Sequence, residues 1–221
     1  SWNSDDEVTT FVHLPGPFRA GTTAALRIAA TTRDEFGQAL EQAYVERIEF
    51  DDFHPQMEIG LQGDIFEAVA PTSIPIGVVN VGHYERLYLP LSMDGLAAML
   101  TAKDGDELFA RGAAHADARL DSLAPRYARN HMGVDSLELG GKTGAPLGAG
   151  LIAVRYPGID REGNAITLTD ARLVQRTNLG ISGQVGRHAS AIWVTELDTG
   201  RSVPNAEVMV LTANNQIRAR S

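Results

Sequence analysis

The residues whose types and spacing come nearest to a reaction centre are Gly141, Lys142 and Thr143, in the stretch "LGGKTG". They read as the tail of a phosphate-binding loop, in which successive backbone N–H groups cradle the phosphates. Such a loop also needs a glycine five residues before Gly141. That position holds Ser136, and without the glycine the backbone nest has no reason to form. "GAGLIA" supplies Gly148, Gly150 and Ala153, a loose dinucleotide fingerprint. That motif works where a strand turns into a helix N-terminus. Here "LIAVRYPG" follows, which reads as a strand ending in a turn, so a flexible loop feeding a strand is the better reading. "GISG" around Ser182 is not a nucleophile elbow, because its second glycine comes one residue early.

Metal chemistry fails on the same kind of count. None of His13, His54, His83, His115, His131 and His188 stands in the His-Glu-x-x-His spacing that puts two ligands on one helix face. "KDGDEL" offers Asp104, Asp106 and Glu107 to a calcium loop. The sixth position of that loop needs glycine for its sharp turn, and counting from Asp104 the residue there is Phe109. The chain has no cysteine, which removes disulfides, thiolate sites and cysteine nucleophiles together. A scattered array could still meet in space, but the expectation is no catalytic residue, no cofactor site and no metal site, hence no enzyme.

The bulk numbers narrow the remaining classes. The 221 residues carry 19 Lys and Arg against 28 Asp and Glu, a formal net charge of −9. An acidic chain without a basic cluster repels phosphate backbones, so no nucleic-acid partner is expected. No run approaches the ~18 apolar residues of a membrane span. The first ten residues, "SWNSDDEVTT", are polar and acidic and lack the basic and apolar regions of a signal peptide. Any export signal is expected to have been removed or to lie outside these residues.

With chemistry set aside, the elements must carry the function. Segments rich in Val, Ile, Leu and Thr recur between Gly, Pro, Asn and Asp: "EVTTFVHL", "TAALRIAAT", "YVERIEF", "IGVVNV", "YERLYLPL", "GLIAVRY", "AITLTDARLVQR", "SAIWVTEL" and "AEVMVLTA". Each suits a strand. In "YVERIEF" the residues Tyr44, Ile48 and Phe50 share one face, so one side is expected wet. Many short strands separated by turn signals indicate β-sandwiches. Between residues 92 and 124 the composition shifts to helix formers. Ser92 or Asp94 would cap a short helix with Leu96, Met99 and Leu100 on one face. A second helix would turn Leu108, Phe109, Ala116, Leu120 and Leu123 toward a core, with Gly112 costing about 1 kcal/mol inside it.

The boundaries predict one whole domain between two partial ones. "RIEFDDFHP" ends a strand before a proline, and "VQRTNLGIS" passes from one strand directly into another. A β-sandwich needs about 100 residues, so residues 1–54 read as the C-terminal part of one domain. Residues 55–178 form a complete domain with the helical insertion, and residues 179–221 the N-terminal part of a further one.

Within the last piece, "IWVTELDTGRSVPNAEVMVL" reads as strand, turn and strand. Trp193 is expected to face inward as a core anchor burying about 150–250 Å², so that Trp193→Ala would cost about 3–5 kcal/mol. An exposed Trp in a ligand groove is the functional alternative. Gly200 and Asn205 tolerate positive φ, and Pro204 pre-sets the turn before Asn205. "TGRSVPNAEVMVL" resembles the signature T-G-x-P-V-x-G-A-x-V of extracellular β-sandwich modules, kept at Thr199, Gly200, Val203, Ala206 and Val208. It departs at Ser202 and Asn205. Together with "LVQRTNLGISGQV" it looks like a junction in bacterial alpha-2-macroglobulins, with Asn178 in place of the usual Asp; "SIPIGVVNVGHYERLYLPL" resembles the early strands of the preceding domain there, and "LPGPFRAGTTAALRIAATTRDEFGQAL" the later part of the β domain before that.

The resemblance implies an all-β chain of tandem immunoglobulin-like, macroglobulin-like β-sandwiches, with the helical insertion in the middle domain. It implies scaffold domains of a broad-spectrum endopeptidase inhibitor that encloses target proteases after bait cleavage, as in host-defence evasion. It also implies a periplasmic location, inner-membrane anchoring through a segment outside these residues, and cell-wall synthesis enzymes as a further partner class. Many members carry a Cys-x-Glu-Gln thioester; with no cysteine here, no thioester residue can be carried over. The alternatives from other classes are tandem immunoglobulin-like modules of a bacterial surface adhesin, or an accessory β domain of an exported hydrolase.

Overall fold

The computed structural model describes residues 14–139, 147–187, 189–212 and 216–220. The chain divides into two compact units, Ser1–Phe53 and His54–Ser221, and the piece read from the sequence as 179–221 falls within the second.

In the first unit β1 (Thr23–Ile28) and β2 (Tyr44–Glu49) pair antiparallel, from Thr23 opposite Glu49 to Ile28 opposite Tyr44. Asp34 organises part of their connection. Its carboxylate accepts from the N–H groups of Phe36 (2.9 Å) and Gln38 (2.8 Å), while Gly37 takes a φ of +80°. A short acidic side chain holds a turn in this way because it stands in for a backbone carbonyl. Phe18 stacks on Phe50 with ring centroids 5.1 Å apart. Every residue of β2 is exposed, so the dry face expected for Tyr44 and Ile48 does not form among the described residues. Of the strand expected in "EVTTFVHL", all but Leu14 lies outside the described residues.

The second unit is layered. A three-stranded antiparallel sheet has the order β3-β5-β8, with β3 at Gln56–Ile59, β5 at Ser73–Val79 and β8 at Gly133–Glu138. A five-stranded sheet has the order β4-β10-β9-β6-β7. Its strands are β4 (Ile65–Glu67), β6 (Tyr84–Leu91), β7 (Arg119–Leu123), β9 (Gly148–Ile159) and β10 (Ala165–Thr177). Only β4 runs parallel to its neighbour there.

Strand alternation then decides the layers. On β9, Ile152, Val154 and Tyr156 join Ile59, Ile74, Ile76, Val78 and Leu137 in a core between the two sheets. Leu151 and Ala153, one step out of phase, join Leu87, Leu89, Met99 and Phe109 in a second core under the helices. The central strand is therefore apolar on both faces, which is what a strand covered on both sides requires. Each Leu, Ile or Phe buried there adds about 1.5–3 kcal/mol before the cost of ordering it.

The helical insertion is shorter than the sequence suggests. Helix α1 (Met93–Met99) is capped by Ser92, whose hydroxyl accepts from the Gly95 N–H, and α2 (Gly105–Ala113) is capped by Asp104, which accepts from the Glu107 N–H. The second helix does not continue to Leu123. The chain turns after Ala113 and residues 119–123 become β7, pairing from Tyr88 opposite Arg119 to Tyr84 opposite Leu123. The reason is the edge of β6, whose backbone groups β7 satisfies where water would otherwise have to. Leu120 is accordingly exposed, as are Ala116 and Leu100, while Phe109 is fully buried.

Gly112 finds its explanation in the packing. A Cβ at this position would lie 2.6 Å from the Cδ2 atoms of both Leu87 and Leu151, so the absent side chain is what lets α2 sit down on the sheet.

The last part of the second unit contributes no buried hydrophobic residue among those described; the buried set ends at Val174. There β11 (Leu179–Val185) pairs with β12 (Ser190–Glu196), and β13 (Met209–Leu211) pairs with β14 (Ile217–Arg220), both antiparallel.

Candidate interaction surface

The β11–β12 ribbon exposes Leu179, Ile181, Ile192 and Trp193 and has a groove beside it. Thr177, the last residue of β10, accepts the Leu179 N–H on its hydroxyl (2.9 Å), which starts the ribbon directly after the sandwich strand. In an antiparallel pair directly opposed residues share a face. Ile181 opposite Val194 and Leu179 opposite Glu196 therefore define one face, and Ser182 opposite Trp193 the other. Ile181 is 69% exposed and Trp193 53%.

Trp193 is thus not the inward-facing core anchor expected from the sequence. Two neighbours flank β12, namely β11 and a short return at Ser202, but no second sheet lies over the ribbon among the described residues. Neither β11 nor β12 contributes a residue to either buried core, so the aromatic residue of the ribbon stays partly wet.

The turn after β12 follows the expected chemistry. Gly200 has a φ of +66° and donates its N–H to the Glu196 carbonyl at 2.9 Å. The Thr199 hydroxyl donates to the Glu196 carboxylate at 2.6 Å and accepts from the Arg201 N–H. Val203 then donates to the Val194 carbonyl, laying the return strand beside β12. Pro204 and Asn205, the latter at φ +56°, reverse the chain once more. The result is a groove of about 320 Å³ walled by Ile192, Val194, Val203, Ala206 and Val208. Ser190 and Asn205 complete its walls, which carry no ionisable group and so offer no general acid or base.

The other candidates from the sequence are dispersed. Gly148 and Gly150 open β9, a strand and not a strand-to-helix turn. Ser182 lies on β11, opposite Trp193. Asp104 is used as a helix cap, and Glu107 accepts from the Lys103 N–H and pairs with Arg111, which together hold its carboxyl below the usual range. His54, His83, His115 and His131 are exposed and separate; His83 meets the Ser122 hydroxyl at 2.7 Å. No three metal-binding side chains gather among the described residues. The "LGGKTG" tail, from Gly140 on, and His13 and His188 lie outside them.

What sequence reasoning missed lies between the sheets. Tyr84 is fully buried and donates its hydroxyl to Asp135. Burial, with that carboxylate beside it, pushes the phenol well above its ordinary range. Arg86, two residues on and so on the same face, holds Asp121 at 2.9 Å and lies 3.9 Å from Asp135. The signal was present in "YERLYLPL": Arg86 interrupts the face that Tyr84 and Tyr88 would otherwise make apolar.

No protein-family model matches the chain, and no curated protein matches it. Solved structures do. The crystal structure of native alpha-2-macroglobulin from Escherichia coli spanning domains MG0-NIE-MG1 aligns with a TM-score of 0.54 at 16% identity, over 92% of this chain and 66% of that one. Salmonella alpha-2-macroglobulin aligns in a mutant form with a TM-score of 0.55 at 16% identity, over 92% of this chain and 12% of that one. The Salmonella protein reacted with methylamine gives 0.53 at 15% identity with the same coverage. This chain therefore spans about two thirds of the first of these structures and about an eighth of the others. At such identities the likeness establishes the fold, and the fold is that of all-β, macroglobulin-like domains.

Proposed function

We propose that these residues are scaffold domains of a bacterial protease trap of the alpha-2-macroglobulin kind. The observation that carries the reading is the extent of the fold likeness: 92% of the chain follows a structure described as a run of consecutive domains, MG0-NIE-MG1. A scaffold needs layers that hold their shape and surfaces that bury against other parts of an assembly. The doubly covered β9 suits the first need and the apolar ribbon the second. On this reading the chain performs no catalysis of its own, its partners are target proteases met by the whole protein, and its place is the periplasm.

The test uses the full-length protein mixed with a general endopeptidase. Trapping predicts a slower band on a native gel. The enclosed protease should keep its activity on small substrates while a large protein inhibitor no longer reaches it. No complex and no protection from the inhibitor would overturn the proposal. A reading frame consisting of long strings of near-identical repeats would instead favour an adhesin.

A further inference from the structure

The outer edge of β8 is closed by side chains. β8 is the last strand of its sheet, and it pairs with β5 through its odd-numbered residues, a pattern continued by the Leu139 N–H bond to the Thr72 carbonyl. Its even-numbered residues therefore turn their backbone groups away from β5. An open row of this kind is a template for strand addition by another chain. Here the three outward carbonyls are occupied. The Val134 carbonyl accepts from the Tyr127 hydroxyl at 2.9 Å, the Ser136 carbonyl from Arg86, and the Glu138 carbonyl from Arg119. The Ser136 N–H is taken as well, by the Asp135 carboxylate at 2.8 Å.

The donors are held in place rather than left to find the edge. Arg86 is fixed by Asp121 on β7 and faces Asp135 on β8. The Arg119 guanidinium lies over the Tyr88 ring, 5.4 Å from its centroid. The Tyr127 ring covers Gly133, where a Cβ would come within 2.1 Å of it. The loop between Tyr127 and β8 is pinned at Asn130, whose N–H donates to the Asn80 side chain at 2.8 Å. Two of the three donors are charged, and charged donors make the stronger bonds to carbonyls.

We infer that Arg86, Arg119 and Tyr127 form a clasp that bars strand addition at the β8 edge and ties that edge to the neighbouring sheet. The clasp directs any strand-pairing partner away from this side of the sandwich.

The test uses the 221-residue chain with Tyr127→Phe and Arg119→Met together. Both variants keep the ring or the aliphatic stem and remove only the donors; Arg86 is spared because its loss would strand Asp121 and Asp135. Hydrogen exchange read by mass spectrometry should speed up by about tenfold or more across residues 133–139, as local opening of an unclasped edge requires. Exchange in β9 and β11 should stay at the wild-type rate. Sedimentation velocity should show association that grows with concentration, absent from the wild type at the same concentrations. Wild-type exchange at 133–139, or faster exchange without association, would overturn the proposal.

Discussion

At the scale of the residue, two side chains separate what composition suggests from what geometry decides. Tyr84 is buried against Asp135, and its phenol is held above the ordinary value of 10.0. A group whose folded state binds its proton more tightly stabilises the fold below its unfolded pKa and loses that contribution as pH rises beyond it. Stability should therefore fall above about pH 10, and absorbance titration of the tyrosines should show Tyr84 ionising only with unfolding. Tyr84→Phe should remove that late step; a late step unchanged in the variant would contradict the assignment. Trp193 shows the opposite error. Its type argues for a core, but at 53% exposure about half of its surface stays in water. Trp193→Ala should therefore cost clearly less than the roughly 3–5 kcal/mol of a core aromatic. Acrylamide quenching of Trp2→Phe, in which Trp193 is the single indole left, would check this: its fluorescence should be readily quenched. Sequence could not reveal this exposure, since a Trp in a strand looks the same whether or not a second sheet covers it.

At the scale of the element, most strands were legible, down to the three-residue β13, while β3, β4 and β8 were not. β9 carries Leu151, Ile152 and Val154 and β10 carries Ile166, Leu168, Leu173 and Val174, which mark both as strands. β3, β4 and β8 alternate too briefly, or with too many polar residues, to stand out from loops; their pairing is decided by partners distant in sequence. β7 reads as helix in the sequence because its Arg and Leu are helix formers, and the open edge of β6 overrides that preference. Helix α2 supplies the prediction that belongs here. Gly112→Ala would gain about 1 kcal/mol of helix propensity. Yet the new methyl would press on Leu87 and Leu151, both fully buried. Overpacking of this kind costs about 1–3 kcal/mol, so the melting temperature should fall, and a rise would show that the helix can lift off its sheet freely. The β9–β10 turn adds a pH dependence. Asp160 accepts from Asn164 and from the Glu162 N–H, bonds that hold its carboxyl below 3.8. Its contribution is present above that value and is lost as pH falls through the lowered pKa. Asp160→Ala should therefore flatten the acid limb of a melting-temperature profile, most visibly below about pH 4.

At the scale of the whole molecule, the question is where stability resides. Every fully buried hydrophobic side chain among the described residues lies between Met57 and Val174, while β1 and β2 of the first unit contain none. Both cores are drawn from those residues alone. A chain whose burial is so concentrated should unfold around that centre, with its poorly buried parts exchanging early. A shortened protein of residues 54–221 should keep the cooperative melting transition of the whole, with a midpoint moved by no more than the roughly 2–4 °C that about 1 kcal/mol produces at this size. Near-UV circular dichroism should change little, because Tyr84, Phe109 and Tyr156 keep their surroundings. Hydrogen exchange would give the finer reading: the slowest amides should lie in β6, β9 and the β9-facing half of β10, and those of β11 to β14 should exchange far sooner. If residues 54–221 lost their cooperative transition, the first unit would have to supply part of the stability that the burial pattern assigns entirely to the second.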